Sequence, residues 1–272
     1  MFLPFQDDNP SRRTPLVTYT LIAINILVFV WATYLLPAPE QEKLLLRRGF
    51  IPRRVSQLWD PVSVIVPRDT AVQHPFFGRN VILRRQFVLP PNRSQIVLSP
   101  FTSMFMHGGW LHLIFNMWFL WIFGAKVEDR LGRVIFPIFY IIGGLLATGL
   151  HWVSDPGSLI PVVGASGAVA TVLGAYAITW PFARIQTLVF LVFIFFDVEI
   201  PALVFLGGWF IVQLLSGLQD AAGGVAWWAH IGGFVVGLLF MPILCDLLED
   251  LSEDQAEGKE DGRTENDGVD AE

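Results

Sequence analysis

Residues 163–180 read VGASGAVATVLGAYAITW, an apolar stretch with a single serine, Ser166, set among small residues near its start. About sixty residues later a second apolar stretch contains Ala229-His230-Ile231-Gly232-Gly233. Ionisable and polar side chains within membrane-spanning segments are costly and usually functional. A lone serine and a lone histidine in two such segments therefore predict chemistry carried out inside a bilayer.

The composition is typical of a membrane protein. Of the 272 residues, 53% are hydrophobic and only 15% are charged, against roughly 25% in an average soluble domain. The net charge of −6 owes much to residues 249–272, predicted to be an acidic, disordered cytoplasmic tail. Nucleic acid is not an expected partner. The one cysteine, Cys245, excludes an intramolecular disulfide.

Hydropathy predicts six membrane-spanning helices. The first, residues 16–36, is uncharged over a length that covers a hydrocarbon core of about 30 Å. The other five are expected near residues 101–124, 135–153, 163–180, 201–218 and 225–244. Basic residues in the short connections place the N-terminal segment, residues 1–15, and the C-terminus in the cytoplasm. The predicted fold is an all-α, multi-pass bundle in the cell membrane.

Two segments outside these spans have their own patterns. The long outer loop, residues 37–98, is predicted to contain an amphipathic helix at 41–50 and strands at 62–66 and 81–88, and its composition identifies no chemistry. The apolar run 185–198 is too short for a comfortable span. It is interpreted as an interfacial hairpin or a re-entrant element on the cytoplasmic side.

The fourth span is unusually short. From Ser166 to Trp180 there are 15 residues, about 22 Å of helix, which is less than the hydrocarbon thickness. A helix that begins within the membrane leaves its first N–H groups without intrahelical partners, and only a water-filled cavity tolerates that. The sequence therefore predicts a cavity at Ser166.

A serine hydroxyl becomes a good nucleophile when a base within about 3 Å takes its proton, and His230 is the candidate base. Small residues recur at helical spacing in both spans, namely Ser166, Ala170 and Gly174 in one and Gly233 and Gly237 in the other. Facing stripes of small residues would let the two backbones approach and bring the two side chains together. The alternative is that the stripes only pack helices and that Ser166 bonds to a backbone carbonyl.

His112 and Asn116 are four residues apart and share one face of the second span, where they could donate hydrogen bonds to an oxyanion. His107 precedes His112 by five residues and does not share that face, which disfavours a metal pair. The alternative is that the three form a buried polar network that holds the helix. There is no H-E-x-x-H motif and no pair of aspartates in facing spans, so neither a metal nor a cofactor is expected.

Taken together, the motifs resemble the bacterial-type, six-helix members of the rhomboid family of intramembrane serine proteases. Four stretches occur in the order of the family, namely His107-Gly108-Gly109-Trp110-Leu111-His112-Leu113-Ile114-Phe115-Asn116, Gly124-x-x-x-Glu128-x-x-x-Gly132, Gly164-Ala165-Ser166-Gly167, and Ala229-His230 followed by Gly233 and Gly237. The resemblance covers a core of residues 99–248 together with the first span.

The resemblance implies a serine endopeptidase that cleaves transmembrane protein substrates in the lipid bilayer through a Ser-His dyad. Ser166 would be the nucleophile and His230 its general base, with His112, Asn116 and the amide of Ser166 forming the oxyanion hole. Supporting positions would be His107, Gly164, Gly167, Glu128, Arg130, Gly233 and Gly237. Glu128 and Arg130 would brace the loop after the second span, and residues 217–224 would form a mobile cap hinged at Gly223-Gly224. The alternative is a non-proteolytic rhomboid-like protein that binds membrane clients for quality control.

Two positions depart from the family pattern. Leu98-Ser99 stands where many rhomboids carry Trp-Arg, and Ala170 stands where an aromatic ring often stacks on the catalytic histidine. The second departure leaves open what orients His230, although Trp227 and Trp228 are close to it in sequence.

Overall fold

The computed structural model describes residues 2–9, 12–73, 80–191, 194–219 and 224–267. These residues are mostly helical. The α-helices are α1 (Leu16–Val30), α2 (Ala38–Arg48), α3 (Arg93–Ser103), α4 (Trp110–Phe119), α5 (Ala125–Ser154), α6 (Ser166–Thr179), α7 (Ala202–Leu218) and α8 (Trp227–Asp267). Single π-helical turns extend α1 (Trp31–Leu35) and join α4 to α5 (Leu120–Gly124).

Three helical stretches in the described residues are long and apolar enough to cross a membrane, namely Leu16–Leu35, Trp110–Ser154 and Trp227–Leu251. The apolar helices α6 and α7 are shorter. Gly132 has a φ of 78°, a left-handed conformation that interrupts α5 and divides the longest stretch into two helical segments. Large apolar side chains such as Leu27, Leu111 and Val134 are exposed on these helices, as expected for surfaces that contact lipid.

The fold is not purely α-helical, so that part of the prediction is wrong. Strands β1 (Phe2–Asp7), β4 (Arg184–Leu191) and β5 (Ile194–Pro201) form an antiparallel sheet in the order β1-β4-β5. The run 185–198 is therefore a hairpin, the first of the two forms considered. The sequence did not predict β1, because this strand forms by pairing with β4, which is far away in the chain. Phe2, for example, lies opposite Val189.

Hydrogen bonds to neighbouring helices hold β1 in place. The indole Nε1 of Trp118 donates to the carbonyl of Pro4 at 2.6 Å, and the hydroxyl of Tyr176 donates to Asp7 Oδ2 at 2.7 Å. The ammonium of Lys126 lies 3.3 Å from Asp7 Oδ1. The N-terminal segment is thus fastened to α4, α5 and α6.

The loop between the first two spans contains more structure than predicted. Helix α2 and the hairpin of β2 (Val64–Gln73) and β3 (Asn80–Leu89) lie close to the predicted elements. Helix α3 was not predicted, and its first turn is capped by Asn92 Oδ1, which accepts from the amide of Gln95 at 3.0 Å. The second span begins at Trp110 and not near residue 101, because α3 ends at Ser103 and Gly108-Gly109 precedes the new helix.

Helix α6 is the centre of the bundle. All of its residues from Gly167 to Ala177 are buried, as expected for a helix that is apolar on every side. It packs against α8 so tightly that a Cβ atom added at Gly233 would collide with the carbonyl of Gly167. The same holds for Gly237 against Thr171 and for Gly174 against Phe234. The two small-residue stripes therefore do face each other, as the sequence predicts.

The backbone of α8 continues as helix to Asp267, through most of the acidic tail for which the sequence predicts disorder. Glu, Gln and Lys have favourable helix propensities, and extending an existing helix is far easier than nucleating a new one.

Candidate active site

The predicted nucleophile, its base and the two side chains of the predicted oxyanion hole line one cavity. It has a volume of about 880 Å³, lies among α4, α6, α7 and α8, and is bordered by Ser166, His230, His112 and Asn116. The sequence predicted a cavity at Ser166 from the shortness of its helix. Apolar side chains of the same four helices, such as Phe115 and Val169, complete much of the lining.

Ser166 is the first residue of α6, directly after a sharp backbone turn. Gly164 has a φ of 122°, which favours glycine, and its amide donates to the carbonyl of Ser103 at 2.9 Å. A Cβ atom at Gly164 would lie only 2.6 Å from the imidazole of His112. Gly164 therefore allows the His112 ring to approach the turn that carries Ser166.

Asn116 and His112 lie one helical turn apart on α4. The Nδ2 atom of Asn116 donates to the carbonyl of His112 at 2.9 Å, and the Asn116 side chain is buried. An amide nitrogen carries two hydrogens, so this contact leaves one of them for another acceptor. His107 lies before α4, and its ring packs edge-on against His112 with centroids 5.2 Å apart. All three polar residues are thus close to the turn at Ser166.

His230 is held by a residue that the sequence motifs did not identify. Its Nδ1 lies 2.7 Å from Oε1 of Gln213 on α7. The ring of Trp209, one turn earlier on α7, is 6.0 Å from the imidazole, and Trp227 approaches it edge-on at 6.2 Å. The signal that could have revealed Gln213 is its polarity, because a lone glutamine within an apolar span is costly unless it has a partner.

Among the described residues, no hydrogen bond joins Ser166 to His230. Hydrogen bonds between catalytic groups are often long in unliganded enzymes and shorten when substrate binds. The backbones that carry the two side chains are fixed relative to each other by the glycine contacts between α6 and α8. Both side chains border the same cavity.

The two supporting charged residues connect helices on the far side of the bundle from Ser166. The buried carboxylate of Glu128 accepts from the amides of Val17 and Thr18 at 3.0 and 2.7 Å and from the hydroxyl of Thr18 at 2.8 Å. Arg130 pairs with Glu249 of α8 at 2.5 Å. Glu128 thus connects the first turn of α5 to the start of α1, where a negative charge complements the helix dipole. No loop separates α4 from α5 at this point, because a π-helical turn joins them.

We expect Glu128→Gln to lower the free energy of unfolding by about 2 kcal/mol, because the variant loses a charge-assisted acceptor and leaves buried donors without a strong partner. Thermal unfolding in detergent measures this. Glu40→Gln is the matched control: Glu40 pairs with Lys43 on the surface of α2, and such exposed pairs contribute little. Equal unfolding temperatures for the two variants would contradict the role of Glu128.

The predicted cap, residues 217–224, is described only in part. Helix α7 ends at Leu218, with Gln219 as its C-cap, and Gly224 has a φ of 69° before α8 begins. The predicted hinge residue Gly223 lies outside the described residues. Gly224, Val225 and Ala226 border the cavity.

Within the described part of the chain, no group of three or more His, Cys, Asp and Glu side chains is arranged to hold a metal ion.

Comparison with known families identifies the class of protein. A rhomboid domain matches residues 95–247, more than half of the chain and all of the site. The chain therefore belongs to the rhomboid family, as its motifs indicate.

The relatives found by similarity carry the family name. The chain is 30% identical over 167 residues to presenilin-associated rhomboid-like protein A, mitochondrial, of Danio rerio, a match that covers 58% of this chain and 40% of that protein. It is 30% identical over 175 residues to rhomboid protein 1, mitochondrial, of Saccharomyces cerevisiae, covering 61% and 45%. RHOMBOID-like protein 6, mitochondrial, of Arabidopsis thaliana is 24% identical over 243 residues, covering 84% and 68%. The chain spans less than half the length of the first two.

These relatives contradict the prediction of a cell-membrane location, because all three are named mitochondrial. The prediction rested on basic residues in the short loops. Such charges indicate on which side of a membrane a loop lies, but they do not identify the membrane. The multi-pass membrane character remains supported by the apolar helices.

Proposed function

We propose that this chain is an intramembrane serine endopeptidase that hydrolyses peptide bonds of membrane-anchored proteins. The observation that carries the proposal is the meeting of Ser166, His230, His112 and Asn116 at one cavity inside a membrane-spanning bundle. Rhomboid family membership supports it, since the matched domain includes all four residues. The bundle would have six spans if the two segments on either side of Gly132 are counted separately and α6 and α7 are included.

In the proposed reaction, Ser166 Oγ attacks the scissile carbonyl carbon while its proton passes to His230. The carbonyl oxygen becomes an oxyanion, which His112, Asn116 and the amide of Ser166 stabilise by hydrogen bonds. His230 then gives the proton to the leaving amine as the C–N bond breaks, which leaves an acyl-enzyme on Ser166. Water, activated by His230, hydrolyses this ester and regenerates the serine.

The start of α6 inside the bundle serves this chemistry in two ways. The first amide groups of a helix have no intrahelical acceptors, so they are free to bind an anion, and the helix dipole favours negative charge there. Ser166 is the first residue of α6 and therefore provides both the nucleophile and an oxyanion donor. Helix α8, which carries the proposed base, packs closely against α6, and this contact supports the proposal.

A panel of tagged single-span proteins, mixed with the purified chain in detergent, tests the function. We expect at least one of them to be cut within or beside its membrane segment. Mass spectrometry of the products locates the cleavage site. Ser166→Ala is the control and should leave the same substrate intact. Cleavage that persists in Ser166→Ala would refute the assignment. Stable substrate binding without any cleavage would favour the non-proteolytic, client-binding alternative.

A further inference from the structure

Gln213 is a buried amide with one specific contact inside an otherwise apolar helix. It lies in the second half of α7, on the side that faces α8, and only 6% of it is exposed. Its Oε1 atom lies 2.7 Å from Nδ1 of His230, a short distance for a neutral hydrogen bond. Trp209, on the same face of α7 one turn earlier, lies beside the same imidazole ring. Two side chains of α7 therefore contact the His230 ring.

The chemistry of the contact fixes the state of the imidazole. With Oε1 facing the ring, and because an amide oxygen only accepts, the contact is a hydrogen bond when Nδ1 carries the proton. A neutral imidazole has one protonated nitrogen, which leaves Nε2, on the other side of the ring, with its lone pair available. A general base for a serine hydroxyl needs that free lone pair. The contact with Gln213 thus selects the tautomer in which Nε2 can accept a proton.

We propose that Gln213 is a positioning residue for His230, which holds the imidazole in the Nδ1-protonated tautomer and in the orientation that proton transfer from Ser166 requires. This inference rests on the proposed protease function. It answers the question raised by Ala170, which offers no ring for the imidazole to stack on. Among the described residues, Gln213 makes the only hydrogen bond to the His230 side chain, so no carboxylate occupies the position of the acid in a Ser-His-Asp triad.

A neutral amide suits this location. Within the described parts of the chain, the titratable groups close enough to influence His230 are His112 on α4 and His151 on α5, and Gln213 is the polar group that faces it from α7. A buried carboxylate without a cation would carry a large desolvation cost whenever His230 is neutral. A glutamine orients the ring without that cost, although it stabilises the protonated ring less than a carboxylate does.

Two substitutions separate positioning from packing. Gln213→Met keeps the length and volume of the side chain but removes the acceptor. We expect it to lower kcat by about 10- to 100-fold with little change in KM, the range found when a metal-bound histidine loses its orienting partner. Gln213→Glu, when its carboxyl group is ionised, retains an oxygen that only accepts. We expect it to restore kcat to within a few-fold of the wild type and to move the acidic limb of the profile of kcat/KM against pH to higher pH by about one unit, because a carboxylate stabilises the protonated ring.

Val212→Met is the matched control, since it places the same side chain at the neighbouring, exposed position of α7. It should leave kcat, KM and the pH profile unchanged. All variants are first compared by thermal unfolding in detergent, and if Gln213→Met does not fold, Gln213→Glu and its pH profile still test the proposal.

The outcomes distinguish the two levels of the account. Suppose that the wild type cleaves substrate. If Gln213→Met then retains full kcat, or if Gln213→Glu has low activity and an unshifted pH profile, positioning by Gln213 is wrong and the protease function stands. If the wild type cleaves no substrate and a serine-reactive probe does not label Ser166, the protease function fails.

Discussion

Replacing His230 with alanine is expected to reduce kcat/KM for substrate cleavage by at least about 10³-fold while the protein remains folded. In this account no other group can take the proton of Ser166, and removing the base of a serine protease costs up to about 10⁶-fold in kcat. The measurement is steady-state cleavage of the best substrate from the panel, with thermal unfolding in detergent as the test of folding.

The combination Ser166→Ala/His230→Ala provides the control for this prediction. Residues that act as one unit are not additive, so the double variant should be about as slow as either single variant. A His230→Ala variant that keeps near-normal turnover would show that another base, or another reaction, is involved. Losses that multiply in the double variant would show that the two residues act independently.

The second large effect is expected from Gly237→Ala. An added methyl group would collide with the carbonyl of Thr171 and lie 2.7 Å from the amide nitrogen of Ala175, and both atoms belong to the backbone of α6. Backbone atoms cannot rotate away, so α8 must shift and carry His230 with it. We expect a loss of about 3 kcal/mol in the free energy of unfolding and a drop of about 100-fold or more in kcat.

Gly207→Ala is the matched control for that substitution. Gly207 also lies within an apolar helix, α7, but a Cβ atom there has no neighbour within 4 Å. Alanine favours helix over glycine by about 1 kcal/mol, so this variant should be as stable as the wild type or slightly more so. Similar behaviour of the two alanine variants would mean that close contact between α6 and α8 does not organise the site.

The parts of the site that the sequence predicted are those with a local cause. Ser166 could be placed at a cavity because the apolar stretch after it is too short to span the bilayer. The facing of α6 and α8 could be predicted because small residues at helical spacing are a local pattern with a direct consequence for packing. His112 and Asn116 followed from their spacing on one helix.

What the sequence did not predict depends on partners that are distant in the chain. Hydropathy predicted that the second span starts near residue 101. An average over apolar residues does not detect that α3 ends at Ser103 and that a separate helix, α4, begins at Trp110. Strand β1 has no amphipathic pattern of its own and is defined by pairing with β4. Gln213 belongs to no motif. Its polarity within an apolar span is a signal in the sequence, but its partner His230 is identified only when α7 and α8 are seen side by side.

The location was wrongly predicted for a different reason. Loop charges and helix lengths describe how a chain sits in a bilayer, and bilayers of different organelles share the same basic physics. The mitochondrial names of the relatives contain information that no such pattern in this chain provides.

The central claim is that Ser166 is a nucleophile activated by His230. A fluorophosphonate probe carrying a fluorophore, applied to the purified chain in detergent, tests it most directly, because the probe forms a covalent bond only with an activated serine and needs no knowledge of the substrate. The account predicts labelling of the wild type, located at Ser166 by peptide mass spectrometry, and none above background for Ser166→Ala or His230→Ala. Labelling of Ser166→Ala equal to that of the wild type, or a folded wild type that does not label at all, would contradict it.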